Sequence, residues 1–286
     1  MRIQFLNNYA LARDRCARGL LPRHHLWATD YLEERGHHFS ADKPNVVYIA
    51  NEQQARPYAL ARRVGFMPPL AAVFHHPRSH PWSQLWIRGI DTCIGLSEYT
   101  CRTVERQGGR AVRAWWGPDL RYDYTPISSD YVVSAGKSGR DHRTLLAALD
   151  VPAVVYLREP MAHHPRVTTK IIGRMGHFDF GEVIRDLKRA SVVAIPFAGP
   201  GLTGFTELID ALALGKPVVM TKNAHFSPEE VGCGLSVAPG DVAGWRTALA
   251  SATPEMGKRG RAFAEANDYR AFCAKVAEVI EGVGAR

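Results

Sequence analysis

Two stretches in the second half of this 286-residue chain combine cations, glycines and a helix start at the end of an apolar strand. In VVSAGKSGRDHRTLLAAL the apolar run ends at Ser134, a turn containing Gly136 carries Lys137 and Arg140, and Asp141 or His142 starts a helix. Two cations beside oriented backbone N–H groups form a diphosphate clamp, because both stabilise concentrated negative charge. A solvated basic loop with an Asp cap has the same composition. The second stretch, IPFAGPGLTGFTELIDALALGKPVVMT, leaves a buried strand, Ser191 to Ile195, through a Pro/Gly loop and enters a helix that Gly215 and Pro217 close. Thr203 and Gly204 stand at its start, where free N–H groups and the positive end of the helix dipole attract an anion. Asp210 follows two turns later, about 10 Å from Thr203 by helix rise, a reach that suits a ribose next to a diphosphate. An ordinary βαβ crossover without a ligand has this spacing too.

Other candidates are spread along the chain. His75 and His76 follow an apolar run and precede Pro77; there they can donate to a phosphate or sugar hydroxyl, or act as acid or base near neutral pH. They can equally be packed or solvated imidazoles, since three other His-His pairs occur. Gly173 and Arg174 form a turn after an apolar segment that could hold a nucleobase by its backbone, or be only a turn. Asn7 and Asn8 end the first strand, at the edge where open α/β sheets keep ligand residues. Neither GxxxxGK[ST] nor GxGxxG is present at the expected strand ends, no HExxH occurs, and no carboxylate cluster calls for a metal.

These residues need rigid elements behind them. Apolar segments at Arg2 to Leu6, Val46 to Ala50, Leu70 to Phe74 and Thr92 to Leu96 alternate with helical patterns at Leu26 to Glu34, Gln53 to Arg63 and Tyr99 to Gln107. That alternation predicts a parallel, helix-covered sheet. Pro57 is expected in the first turn of its helix. The aromatic, Pro-rich WWGPDLRYDYTPISSD interrupts the pattern, so a boundary is placed there, giving domains 1–124 and 125–286. A second series runs from Tyr131, and in the helix that Gly215 and Pro217 close the residues Phe205, Leu208, Ile209, Leu212 and Ala213 form an apolar stripe, with Thr206, Glu207 and Asp210 expected on the opposite side.

Composition narrows the class. With 46% hydrophobic and 22% charged residues the chain is an ordinary globular protein. No apolar run approaches membrane-spanning length and the first residues read as a strand instead of a signal peptide, so a cytoplasmic enzyme is expected. Five scattered cysteines suggest neither a disulfide framework nor a zinc site. The net charge of +8 is uneven: residues 1–125 hold 17 Lys and Arg against 11 Asp and Glu, and the rest contributes only +2. A basic first half suits anionic substrates or lipid headgroups, whereas no Arg-rich aromatic platform argues for nucleic acid.

Taken in order, CIGLSEYTCRTVERQGG, AWWGPDLRYDY, VVSAGKSGRDHRTLLAAL, TGFTELIDALALGKPVVMT and GCGLSVAPGDVAGW resemble successive segments of glycosyltransferase family 4, retaining enzymes of the GT-B architecture. The resemblance implies two Rossmann-like doubly wound domains facing each other across a cleft, with the last helix able to pack back on the N-terminal domain. It implies a UDP- or GDP-sugar donor as co-substrate, no cofactor and no metal. Lys137 and Arg140 would face the diphosphate, Asp210 would replace the ribose-binding Glu, and His75 or His76 would contact donor sugar and phosphate. Ser134, Gly136, Gly173, Arg174, Thr203, Gly204 and Glu207 would complete the donor side, and Asn7 and Asn8 the acceptor side. Two departures stand out: the first position of the family's E-x7-E is Leu202, with Glu207 as a weak substitute, and Asn7-Asn8 replaces a Gly-rich loop. The implied acceptor is open among a lipid-linked glycan, a small natural product and a protein, with a peripheral contact at the inner face of a membrane as a further expectation. A nucleotide-sugar-binding protein without transferase activity and a sugar-nucleotide epimerase are the alternatives.

Overall fold

The computed structural model describes residues 1–7, 9–75, 80–127, 130–136, 139–171, 179–199 and 201–285, the side chains of Tyr9 and Pro81 excepted. The chain divides into two compact units, residues 1–119 with 267–286, and residues 120–266. The expected boundary at residue 124 falls just inside the second of these.

The first unit opens with β1 (Arg2–Leu6), α1 (Tyr9–Ala17), a 3₁₀ turn (Arg23–Leu26), α2 (Thr29–Glu34) and β2 (His38–Phe39). It continues through β3 (Val46–Ile49), α3 (Glu52–Arg63), β4 (Leu70–Phe74), α4 (Pro81–Ile87), β5 (Thr92–Gly95), α5 (Glu98–Arg106) and β6 (Ala111–Arg113). Its six strands are parallel in the order β2-β1-β3-β4-β5-β6. β3, β4 and β5 are buried at every residue, as a central strand covered on both faces must be. The helix predicted from Leu26 begins only at Thr29, because Trp27 and Ala28 both take left-handed backbone angles, φ 53° and 66°. Pro57 also departs from expectation. Asn51 caps Gln53 N at 2.8 Å and starts α3 at Glu52, so Pro57 lies in the helix interior on its exposed side.

The second unit holds β7 (Tyr131–Ser134), α6 (His142–Ala148), β8 (Ala153–Leu157), β9 (Val167–Ile171), α7 (Phe180–Arg189), β10 (Ala190–Ile195) and α8 (Phe205–Ala213). It ends with β11 (Val218–Thr221), α9 (Pro228–Val231), β12 (Gly234–Val237), α10 (Val242–Ser251) and α11 (Pro254–Ala266). All its strand pairs are parallel, in the order β12-β11-β10-β7-β8-β9. The chain winds outward from β7 to β9, then returns to place β10 on the other side of β7. Connections therefore diverge between β7 and β10, and the loops leaving those strands open a crevice at their carboxyl ends. Behind it, Val132, Leu145, Val155, Val192, Val219 and Trp245 share one core.

The final helix, α12 (Tyr269–Gly284), belongs to the first unit, where it packs against α2, β3, β4 and β5. Its Tyr269 hydroxyl accepts from Ala28 N at 3.0 Å and donates to Asp30 Oδ1 at 2.5 Å, holding the left-handed Trp27-Ala28 turn. Removing that hydroxyl leaves a buried N–H without a partner. Tyr269→Phe is thus expected to lower stability by about 1–3 kcal/mol, measured by urea unfolding.

Candidate functional site

The loops after β7 and β10 are laced together. Asp141 N donates to Pro196 O at 3.0 Å, Ala198 N donates to Gly139 O at 2.9 Å, and Arg140 pairs antiparallel with Phe197. Asp141 also caps α6, accepting from Thr144 N at 3.1 Å. The loop after β7 is thereby pinned on both sides of Arg140.

Arg140 itself runs inward. Its guanidinium is 2.9 Å from Glu207 Oε2, with the two side chains only 4% and 5% exposed. The other carboxylate oxygen of Glu207 accepts from Ala135 N at 2.5 Å, so one carboxylate ties the β7 loop to the first turn of α8. Burial pushes the Glu207 carboxyl up, while Arg140 and Ala135 N–H pull it down. Two glycines make room for this pair. A Cβ on Gly136 would collide with the Arg140 guanidinium, and one on Gly204 would sit 2.7 Å from its Nη2 and 2.8 Å from Ile195 Cγ2. Gly204 also has φ 83°, which side-chain-bearing residues rarely adopt. Gly136→Ala is accordingly expected to displace Arg140 and cost about 1–3 kcal/mol, seen as a lower urea midpoint.

Gly204 precedes α8 as its N-cap and, having no side chain, supplies no capping oxygen to this nine-residue helix. Beside it, Ser134 closes β7 with a fully buried hydroxyl that has no partner among the described residues. The Thr203 hydroxyl lies 3.5 Å from Gly139 O.

Asp210 differs from its expected setting. Together with Glu207 it was placed on the polar side of α8, yet both are buried, at 2% and 6% exposure, because the helix is covered nearly all round. Asp210 Oδ1 accepts from the Tyr124 hydroxyl at 2.6 Å. Burial, with Glu207 adding to it against the Tyr124 bond, raises the Asp210 carboxyl to about 7.

A cavity of about 520 Å³ adjoins the loop, lined by Gly139, Arg140, His142, Leu157, Glu159 and Met161 among others. That volume lies in the range of small-ligand sites. His142 is held near pKa 4, by burial first and Arg140 second, and its buried Nε2 has no partner among the described residues. The imidazole is therefore neutral at pH 7, able to hydrogen-bond a polar ligand without adding charge.

In the first unit, His75 follows β4. Its Nε2–H donates to Ala50 O at 2.8 Å, its backbone N donates to Glu52 Oε2 at 3.1 Å, and the Trp27 ring meets it edge-on at 4.9 Å. Asn7 is exposed after β1. His76, Asn8, Lys137, Gly173 and Arg174 lie outside the described residues. Sequence reasoning did not select Tyr124, Glu52, Trp27 or His142 as site partners. Of these only His142 had a local signal, standing two residues after Arg140 at the expected helix start. Among the described residues no group of three or more His, Cys, Asp or Glu gathers as a metal site would require.

No protein-family model and no curated protein sequence matches the chain. Solved structures do. The chain is similar to HepE from Anabaena in complex with UDP-glucose, at 15% identity and TM-score 0.70 over 99% of this chain and 100% of that one. A glycosyltransferase from Rickettsia africae is similar at 13% identity and TM-score 0.68, over 99% and 98% of the two chains. The α,α-trehalose 6-phosphate synthase of Burkholderia multivorans follows at 13% identity and TM-score 0.61, over 96% and 76%. With two six-stranded parallel sheets and this likeness, the fold is that of the GT-B glycosyltransferases.

Proposed function

We propose that the chain is a glycosyltransferase, similar to the retaining enzymes of family 4, that moves a sugar from a UDP- or GDP-sugar to an acceptor without a metal. The observation that carries this reading is the crevice between β7 and β10. There the start of α8, which has no side-chain cap, the glycine-flanked Arg140 loop and the Ser134 hydroxyl, which has no partner among the described residues, lie at the carboxyl ends of adjacent strands of a GT-B fold. Fixed N–H dipoles at such a place stabilise the charge that grows on a departing nucleoside diphosphate. With the leaving group held in this way, an acceptor can attack from the same face while the phosphate helps remove its proton. Lys137, Gly173 and Arg174 complete the proposed donor side, and Asp210 is assigned to the ribose.

This assignment gives Arg140 a positioning role: through Glu207 it sets the height of the β7 loop against α8. HepE was solved with UDP-glucose, which favours a uridine nucleotide here. Titration calorimetry with UDP, GDP, ADP and their sugars tests the reading. Binding of UDP or GDP in the micromolar range, lost in Thr203→Trp, which fills the start of α8, is expected. No binding by any of the six would overturn it.

A second reading, a nucleotide-sugar-binding protein without turnover, is favoured by Leu202. It stands 7% exposed where the family's sugar-binding carboxylate would be. Tight donor binding with no transfer across a broad acceptor panel, and no donor hydrolysis, would decide for it. Turnover unchanged by EDTA is expected if the transferase proposal is right.

A further inference from the structure

Glu52 and Asp91 are separated by 38 residues that contain no Asp or Glu but five arginines, Arg56, Arg62, Arg63, Arg78 and Arg88. The same segment builds α3, the turn after it, β4 and α4. It also carries five exposed large apolar side chains: Leu60 at 49%, Val64 at 66%, Phe66 at 83%, Trp82 at 71% and Leu85 at 44%. The two helices lie side by side. Arg63 Nη1 donates to Leu85 O at 2.7 Å, the Arg56 guanidinium sits 5.5 Å from the Trp86 ring, and Gly89 lies so close to Ala59 O that a Cβ there would collide. The buried sides, Ala55 and Ala59 on α3 with Trp86 and Ile87 on α4, face the core. Trp82 and Leu85, three residues apart, share the outer side of α4.

Folding does not explain this surface. Exposed Phe and Trp gain nothing from the core, and single exposed apolar residues are common, but three on one helix pair and two more in the turn after α3, all inside an acid-free segment, are not scattered. Helix faces that bear aromatic and aliphatic side chains among arginines seat at the water-lipid interface. There the apolar groups enter the headgroup layer and the guanidinium stems lie along it toward anionic phosphates. Charge selects the occupant. Arg56, Arg63 and Arg88 are exposed, and Arg62 alone of the described four is neutralised by an ion pair, with Asp91. A neutral apolar protein partner would leave those guanidinium groups uncompensated.

We propose that the outer surface of α3, the turn after it and α4, which carries Leu60, Val64, Phe66, Trp82 and Leu85, docks the protein on an anionic lipid bilayer. The contact is peripheral: no helix among the described residues is long and apolar enough to cross a membrane. It is independent of any nucleotide chemistry in the second unit.

Co-sedimentation of the full chain with vesicles tests it, using phosphatidylcholine with 30% phosphatidylglycerol against phosphatidylcholine alone. Binding at least tenfold stronger to the anionic vesicles, weakening as salt rises from 50 to 300 mM, is expected. Trp82→Ser with Phe66→Ser should abolish partitioning, and Arg56→Gln with Arg63→Gln should weaken it by about fivefold for each arginine. Trp82 and Phe66 project into solvent, so an unchanged melting temperature should accompany that loss, whereas the Arg56/Arg63 pair, which also ties α3 to α4, is measured at a temperature where circular dichroism shows it folded. The proposal is overturned if the wild-type chain fails to sediment with anionic vesicles at 1 mM lipid. It is equally overturned if the Trp82/Phe66 variant binds as well as wild type, or if the patch instead mediates dimerisation in lipid-free buffer that those substitutions abolish.

Discussion

Glu207→Ala is expected to destabilise the second unit by about 3–5 kcal/mol, because it strands the buried charge of Arg140. The Arg140 side chain is 4% exposed and its guanidinium lies against Gly136 and Gly204. The same substitution removes the acceptor of Ala135 N, which adds to the loss. Replacing both partners, Arg140→Met with Glu207→Leu, should recover most of the stability, since a buried ion pair exchanged for apolar groups of similar volume is often neutral. Urea unfolding of the three proteins measures this. A single substitution costing less than 1 kcal/mol would show that the pair is open to solvent. The double variant also isolates function: if Arg140 only positions the loop, nucleotide affinity falls by less than tenfold, whereas direct contact with a diphosphate makes the loss far larger.

The second large effect belongs to Asp210 and pH. Its carboxyl is raised to about 7 in the folded chain from an ordinary value of 3.8, with burial as the first cause. Between those values the unfolded chain releases the proton while the folded chain keeps it. Stability from this group is therefore highest at acid pH and declines as pH rises from about 4 to about 7, staying low above. From pH 5 to pH 8 the decline is about 2–3 kcal/mol. Asp210→Asn keeps an oxygen for Tyr124 and carries no charge, so its pH profile should lack this slope, and at pH 8 it should be more stable than wild type. Equal slopes in the two proteins would remove Asp210 as the cause. On the proposed ribose assignment the substitution should also weaken UDP or GDP, because a neutral amide accepts sugar hydroxyl bonds less strongly than a carboxylate.

These two carboxylates show where sequence patterns stop. The stripe Phe205, Leu208, Ile209, Leu212 and Ala213 was sufficient to place α8, and Gly215 with Pro217 to end it, because helix periodicity and terminators are local properties. The same stripe put Glu207 and Asp210 on the opposite side of the helix and said nothing of what covers them. They are buried because distant groups reach them: Ala135 and Arg140 from the β7 loop, Tyr124 from the segment before β7. Nothing in the helix encodes those partners.

What the sequence determined by itself was the alternation of apolar strands and amphipathic helices, hence two parallel sheets, and the loops that carry glycine at strand ends. Those follow from backbone sterics and side-chain period, which act over a few residues. Only the tertiary structure decided that Trp27 and Ala28 hold the start of α2 back to Thr29 and that Arg140 points inward to Glu207. Each of these depends on pairs far apart in the chain, Tyr269 with Ala28 and Glu207 with Arg140. Burial then sets the charge state of the groups concerned, and burial is a property of the whole fold.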